Sequence, residues 1–201
     1  RRIGDLLLAL AQQLVLVTHD LDLAARCDRA LLVRHGRGEQ DGAADDVVYG
    51  DGGDDVLIGG AGDDALAGGS GTDVLFGGDG ADTLAGGVGN DVVVADGSDT
   101  IRYVAGDGID LVTASAGDDV VVSDIAPDDI TVTTLGDALV VGFADGGALV
   151  FEGGASGALP GSFAFAGGTT LTGAQILALA SGTASADLEA IVDELRDTHE
   201  A

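Results

Sequence analysis

Between Gly50 and Val94 the apolar positions recur every nine residues. Leu57, Leu66, Leu75, Leu84 and Val93 hold the eighth place of the units GDGGDDVLI, GGAGDDALA, GGSGTDVLF, GGDGADTLA and GGVGNDVVV. An aspartate holds the sixth place each time: Asp55, Asp64, Asp73, Asp82 and Asp91. Glycine fills the first and fourth places throughout, and the second in four units of the five. The preceding unit, DGAADDVVY, keeps the register with Asp46 and Val48. This pattern predicts a three-residue strand with its central aliphatic turned inward and its neighbours outward. The six Gly- and Asp-rich residues between strands must turn, and glycine permits the positive φ values of tight turns. Strand and turn in alternation wind a flattened coil of two sheets, two units per coil, with unit n stacked on unit n+2 at about 4.8 Å.

After the array the period continues with slips. Asp99, Asp110, Asp119 and Asp128 are read as its further sixth places, with Val112, Val121 and Ile130 as inward aliphatics. Ordinary acidic turns compete with that reading at Asp99, Asp110 and Asp119, and at Asp128, behind Pro127 and without the glycines, they are the better account. Residues 130–152 alternate apolar and polar around Gly136-Asp137 and Asp145-Gly146-Gly147, which predicts an antiparallel meander. Residues 163–179 predict a hairpin-like pair and a short helix. In the tail, Leu188, Ile191, Val192 and Leu195 form one stripe of an amphipathic helix, with Ser185 as its cap.

The first forty residues read differently: helix over 3–13, buried strand over 14–17, short helix over 20–27 and strand over 30–33. Four segments follow: an α/β segment (1–40), the repeat coil (41–129), a β-rich capping region (130–181), and a linker with a terminal helix (182–201). The fold class is mainly β.

Stacking places the aspartate of each unit beside that of the second unit on. Such a column of carboxylates and turn carbonyls repels itself unless a hard dication lies between layers. Calcium accepts six to eight oxygens in tolerant geometry, whereas magnesium demands a tight octahedron, so the pattern selects Ca2+. The array closely resembles the RTX, or haemolysin-type, calcium-binding repeat GGxGxDxUx. The resemblance implies a parallel β-roll, with Ca2+ held by Asp55, Asp64, Asp73, Asp82 and Asp91. The carbonyls of the Gly-rich places would join them: Gly53, Gly60, Gly62, Gly69, Gly71, Gly78, Gly80, Gly87 and Gly89. Residues 130–181 resemble the domain that closes the open end of the roll in many RTX proteins. The C-terminus stands where that family carries an export signal read by a type I secretion machine, the alternative being a terminal helix packed on the domain.

Charge sharpens the picture. The chain carries 35 acidic residues against eight arginines and no lysine, a net charge of −27. From residue 41 onward only Arg102 and Arg196 offset 30 acids. Such a body excludes nucleic-acid binding, which needs a basic face, and it opposes its own compaction. Cys27 is alone, so no disulfide framework exists. The chain lacks methionine, at position 1 as elsewhere, and is expected to be a fragment or processed product.

LVLVTHD (14–20) followed by AARCDRALLVRHGR (24–37) resembles the end of an ABC-transporter ATPase domain, with His19 at the switch-loop position. The phosphate loop GxxxxGK[ST] is missing, so 1–40 is expected to be a truncated remnant or fusion junction. A secretory signal fits less well, because Asp5, Gln12 and Gln13 interrupt the apolar run. No HExxH helix occurs, and the nearest approach to GxSxG, GGSGT at 68–72, belongs to the repeat. His19, His35 and His199 have no nucleophile partner in view. The expected function is therefore non-enzymatic calcium binding by a secreted, extracellular β-roll module. An ATPase-subunit fragment and a structural or adhesive surface repeat are the alternatives.

One feature stands apart from the resemblance. Val56, Ile58, Val74, Phe76, Val92 and Val94 face outward on one sheet, whereas Ala65, Ala67, Thr83 and Ala85 do so on the other. A continuous apolar patch of the first kind is expected to be covered, by the meander, by residues 1–40 or by a partner chain.

Overall fold

A computed structural model describes residues 45–182 and 186–200, and ahead of them the three short strands β1 (Leu16–Val17), β2 (Leu31–Leu32) and β3 (Arg37–Glu39). Through the repeats the chain alternates between two parallel sheets. One carries β4 (Val47–Gly52), β6 (Ala65–Ser70), β8 (Thr83–Val88), β10 (Thr100–Tyr103) and β12 (Asp119–Val122). The other carries β5 (Val56–Ala61), β7 (Val74–Asp79), β9 (Val92–Val94) and β11 (Ile109–Thr113). Leu57 pairs with Leu75 and Leu66 with Leu84, so two units make one coil. The eighth-place side chains Val48, Leu57, Leu66, Leu75, Leu84 and Val93 form the spine of the interior, each 2 % exposed or less.

The strands are longer than the pattern predicts. β5 to β8 each span six residues, because pairing resumes past the corner: Gly60 with Gly78, and Ala61 with Asp79. Identical stacked corners offer each other N–H and C=O groups in register, so the ladder runs on into what the sequence marks as turn. Only about three residues per unit remain as the turn proper.

Past the array the register also differs from the expected one. Asp118, not Asp119, takes the sixth place: it is fully buried and accepts the Asp99 N–H at 2.9 Å, while Asp119 is exposed and pairs with Thr100. Val120 and Val122 consequently point inward, and Val121 does not. One coil has gained a residue here, and a one-residue slip turns every side chain of a strand to the opposite face. Val112 is inward and fully buried, Ile130 half-buried against the core. Asp128 lies exposed in a short 3-10 turn, Pro127–Asp129.

The capping region closes the roll as the alternation predicts. β13 (Ile130–Leu135), β14 (Ala138–Phe143) and β15 (Ala148–Phe151) form the antiparallel meander, and β15 joins β11 in parallel. β16 (Ser162–Phe165) and β17 (Thr170–Thr172) are an antiparallel pair, with β16 laid on β12. Helix α1 (Gly173–Ala178) follows, opened by a capping box between Thr172 and Gln175. Both sheets therefore end in hydrogen-bonded strands rather than a bare coil. The end is plugged by aromatic side chains: Phe151 meets Phe163 edge-on at 5.4 Å, and Tyr103 meets Phe143 at 4.6 Å.

At the other end β2 pairs with β4 and β3 with β5, both in parallel, and β1 pairs with β2. The helices expected over 3–13 and 20–27, with His19 and His35, lie outside the described residues, as does the Ser185 cap.

The apolar outer face is covered, by a segment that the sequence reading did not name for that role. Its cover is helix α2 (Ala186–Glu200), whose Leu188, Ile191, Val192 and Leu195 pack with Val74, Val92, Leu111, Val140 and Val150. Val192 and Leu195 are buried to 0 % and 2 % exposure. Phe76, Val56 and Val94 pack against the same cluster, and Ile58 is half-buried. Arg196 fixes the helix by pairing with Glu152, just past β15, at 2.6 Å. The opposite sheet, with Ala65, Ala67, Thr83 and Ala85 outward, presents too little apolar surface to need a cover.

Truncating a buried leucine costs about 2–5 kcal/mol. Leu195→Ala is therefore expected to lower the stability of the calcium-loaded protein by that order in urea denaturation. A loss near zero would mean that α2 does not dock on this face.

Candidate metal centre

The sixth-place aspartates form two hydrogen-bonded ladders, one along each edge of the roll. Asp64 Oδ1 accepts the Asp46 N–H at 2.7 Å, and Asp82 Oδ1 the Asp64 N–H at 2.8 Å. On the other edge Asp73 Oδ1 accepts from Asp55 and Asp91 Oδ1 from Asp73, both at 2.8 Å. Each carboxylate thus reaches back one coil and ties its turn to the one before. All five aspartates named from the sequence are 2 % exposed or less.

One carboxylate oxygen is committed by these bonds; the other is not. The Oδ2 atoms of Asp64, Asp73, Asp82 and Asp91 are buried with no hydrogen-bond donor. A carboxylate oxygen taken out of water without a donor or a cation is costly. Each of these atoms lies over the first-place glycine of its own unit. A Cβ on Gly59 would stand 2.5 Å from Asp64 Oδ2 and 2.5 Å from the carbonyl oxygen of Gly77 in the next coil. The same two kinds of oxygen crowd that point at Gly50, from Asp55 and Gly68, and at Gly68, from Asp73 and Gly86. At Gly77 and Gly86 the nearest atoms all belong to the aspartate of the same unit.

The glycines of a unit serve two separate purposes. At the second and fourth places they have positive φ: 108° at Gly60 and 129° at Gly62, for example. Their carbonyls face forward across the gap, since a Cβ on Gly78 would collide with Gly60 O and one on Gly80 with Gly62 O. Gly53, Gly69 and Gly71 present their carbonyls in the same way, to Gly71, Gly87 and Gly89. The first-place glycines need no unusual φ; they are glycine because any side chain would fill the space between layers. Gly68, Gly77 and Gly86, whose carbonyls point back into that space, were not among the residues the sequence singled out. Their signal was present, as a glycine that never varies at a place where the turn does not demand one.

Among the described residues no three His, Cys, Asp or Glu side chains converge as a metal-binding group. The gap is instead lined by one carboxylate oxygen and neutral backbone carbonyls. An all-oxygen, mostly carbonyl donor set of loose geometry suits Ca2+ and does not suit zinc, which prefers nitrogen and sulfur, or magnesium. The unpartnered Oδ2 atoms and the cleared cradle above each first-place glycine both fit such an ion.

The imperfect turns after Asp91 are finished differently. Asp99 Oδ2 accepts N–H bonds from Asp96 and Gly97, and Asp118 Oδ2 accepts the Ser115 N–H at 2.6 Å. In these corners the backbone amides of the loop occupy the position that is without a donor in the array. The ladder itself continues, through Asp82 to Asp99, Asp91 to Asp110 and Asp99 to Asp118. Asp99, Asp110 and Asp118 thus keep the architecture while losing the orphaned oxygen that an ion would need at Asp99 and Asp118.

Burial drives the carboxyl pKa values up. It lifts Asp73 and Asp82 to about 6 and Asp91 to about 7; the amide bond to the previous coil pulls down, and neighbouring carboxylates push up. Asp64 and Asp110 are raised as well, chiefly by burial.

The family model for the RTX calcium-binding nonapeptide repeat matches this chain in four copies, over residues 40–66, 58–93, 67–101 and 94–129. A search of curated proteins returns no match. Among the described residues no helix is long and apolar enough to cross a membrane.

Two outcomes follow from this geometry. In the unfolded chain an aspartate titrates near 4, so between pH about 4 and 7 the metal-free roll holds protons that the unfolded chain has released. Its stability therefore falls as pH rises through that window. Calcium needs the ionised form, so adding it at pH 6 should release protons into an unbuffered solution, and at pH 8 almost none. Equal release at both values would contradict the assignment. Second, Gly59→Ala should remove one calcium ion from the stoichiometry measured by calorimetry; an unchanged count would show that the cradle is not an ion site.

Proposed function

We propose, on the premise that residues 40–129 are RTX calcium-binding nonapeptide repeats, that this chain is a non-enzymatic β-roll module of a secreted protein that folds when calcium enters its turns. The ions would sit between stacked turns, held by the sixth-place carboxylates of Asp55, Asp64, Asp73, Asp82 and Asp91. Forward-facing carbonyls at Gly53, Gly60, Gly62, Gly69 and Gly71, and back-facing ones at Gly68, Gly77 and Gly86, would complete the shell. Gly78, Gly80, Gly87 and Gly89 hold the equivalent places in the later units. The single observation that carries the reading is the row of buried Oδ2 atoms without donors, aimed at glycine-cleared gaps. The three pairs of turns in which carboxylate and carbonyl oxygens converge begin at 50 and 68, 59 and 77, and 68 and 86. Those pairs are the best-formed sites.

Extracellular calcium modules bind with a Kd of roughly 10⁻⁴ to 10⁻³ M, so such sites are empty in a cell and filled outside it. That difference turns location into a folding signal. At pH 7 and above the net charge of −27 keeps the metal-free chain open, a state a type I secretion machine can thread. The C-terminal segment is the natural export signal for this route. Its apolar stripe is buried on the roll in the folded protein, so it must be read before folding.

Far-UV circular dichroism with chelator and with millimolar calcium tests the reading. The expected result is a disordered spectrum converting to a β-rich one, with Asp73→Asn raising the calcium midpoint severalfold. A β-rich spectrum that is indifferent to chelator at pH 8 would overturn it.

A further inference from the structure

The fifth place of the repeat carries a second ladder, running opposite to that of the sixth. Asp45 Oδ1 accepts the Asp63 N–H at 3.0 Å, Asp54 Oδ1 the Thr72 N–H at 2.8 Å, and Asp63 Oδ1 the Ala81 N–H at 2.9 Å. Asn90 Oδ1 accepts the Ile109 N–H at 3.0 Å. Each of these side chains reaches forward one coil, where the sixth-place carboxylates reach back. Asp45, Asp54 and Asp63 are exposed, so their charge stays in water and outside the buried gap. Asn90 makes the same bond without a charge, which shows that the tie needs an acceptor oxygen and nothing more.

Two units break the series. Thr72 and Ala81 hold the fifth place without bonding the next coil. Beyond Ala81 the Ser98 N–H has only a long 3.5 Å contact to the Gly80 carbonyl.

We propose that Asp54 and Asp63 are positioning residues for the calcium gaps, each fastening a pair of stacked turns with a hydrogen bond without touching the ion. The inference rests on the calcium reading above and refines it. Asp54 ties the turn at 50 to that at 68, and Asp63 ties 59 to 77, so as the coil closes these two gaps gain a hydrogen bond of the protein's own. The gap between 68 and 86 lacks this forward side-chain tie, because Thr72 occupies the place, and its layers are joined by the Asp73–Asp91 bond and the backbone alone. Closure that the protein's own hydrogen bonds favour need not be supplied wholly by the ligand, and affinity rises accordingly. The three sites are thus unequal, two with the fifth-place tie and one without it.

Calcium titrations of the full chain, followed by circular dichroism and calorimetry, separate the possibilities. Asp54→Ala removes the acceptor and should raise the calcium midpoint about fivefold, the scale of one hydrogen bond. Asp54→Asn keeps the acceptor and should restore a midpoint close to that of the wild type. Thr72→Asn adds the missing tie and should lower the midpoint. If Asp54→Asn is as impaired as Asp54→Ala, the carboxylate charge acts on the ion, and the proposal is overturned. So it is if the alanine variant titrates like wild type. Should Asp54→Ala fold at no calcium concentration, Thr72→Asn decides: a lower midpoint supports the tie and an unchanged one refutes it. If the wild-type chain takes up no calcium, the calcium reading falls and takes this inference with it; normal wild-type uptake with indifferent variants sinks the inference alone.

Discussion

A buried carboxylate oxygen with no donor is the constraint on which the roll depends. Asp64, Asp73, Asp82 and Asp91 each spend one oxygen on the backbone of the preceding coil and leave the other facing a gap walled by carbonyls. Ionised and alone, such a column is destabilised by desolvation and by mutual repulsion at once. It can persist with protons or with a cation. Burial pushes the Asp91 carboxyl up to about 7, which favours the first alternative, and calcium bound by the repeat is the second. In the folding reading proposed above, ion and fold become one equilibrium, with the layers coming together when something positive lies between them.

That dependence is deepened by how little else holds the roll. Each unit contributes one fully inward aliphatic, and three of its nine residues are glycine, which loses more conformational freedom on ordering than any other residue. A thin core of this kind gains stability from bound metal as small metal-dependent domains do. The ends and one face are handled by ordinary means. The meander and the β16–β17 pair continue both sheets, the aromatic plug fills the end, and α2 covers the valine- and phenylalanine-bearing face. The alanine-rich face of the other sheet, with Ala65, Ala67, Thr83 and Ala85 half-buried, carries no helix among the described residues. The outward seventh- and ninth-place residues thus decide which side of the roll receives a helix.

The repeat coil, its inward aliphatics, the capping meander and the terminal amphipathic helix were legible because each rests on a period the chain repeats. Strand length was not, since the pattern marks glycine as turn, whereas stacking lets Gly60 and Ala61 pair across coils. The register beyond Asp110 was misread by one residue because Asp118 and Asp119 are chemically alike, and only the Asp99 N–H distinguishes them. The cover over the apolar face was foreseen, but helix α2 was not among the segments named for it. Helix and face each showed an unpartnered apolar stripe, yet nothing local in the chain says that one belongs to the other. The fifth-place ladder was hidden for a related reason. Asp54, Asp63 and Asn90 share an acceptor oxygen at one place of the repeat, but Thr72 and Ala81 interrupt them, so no invariant residue draws the eye.

The most direct test is a crystal structure grown with calcium, with diffraction recorded for the anomalous signal of that element. The account requires anomalous peaks between the turns beginning at 50 and 68, 59 and 77, and 68 and 86, each about 2.3–2.6 Å from an aspartate Oδ2 and from backbone carbonyl oxygens. No such peak should lie beside Asp99 or Asp118, whose Oδ2 atoms already accept amide hydrogens. Interlayer gaps that held only water in saturating calcium, with the roll intact, would contradict it.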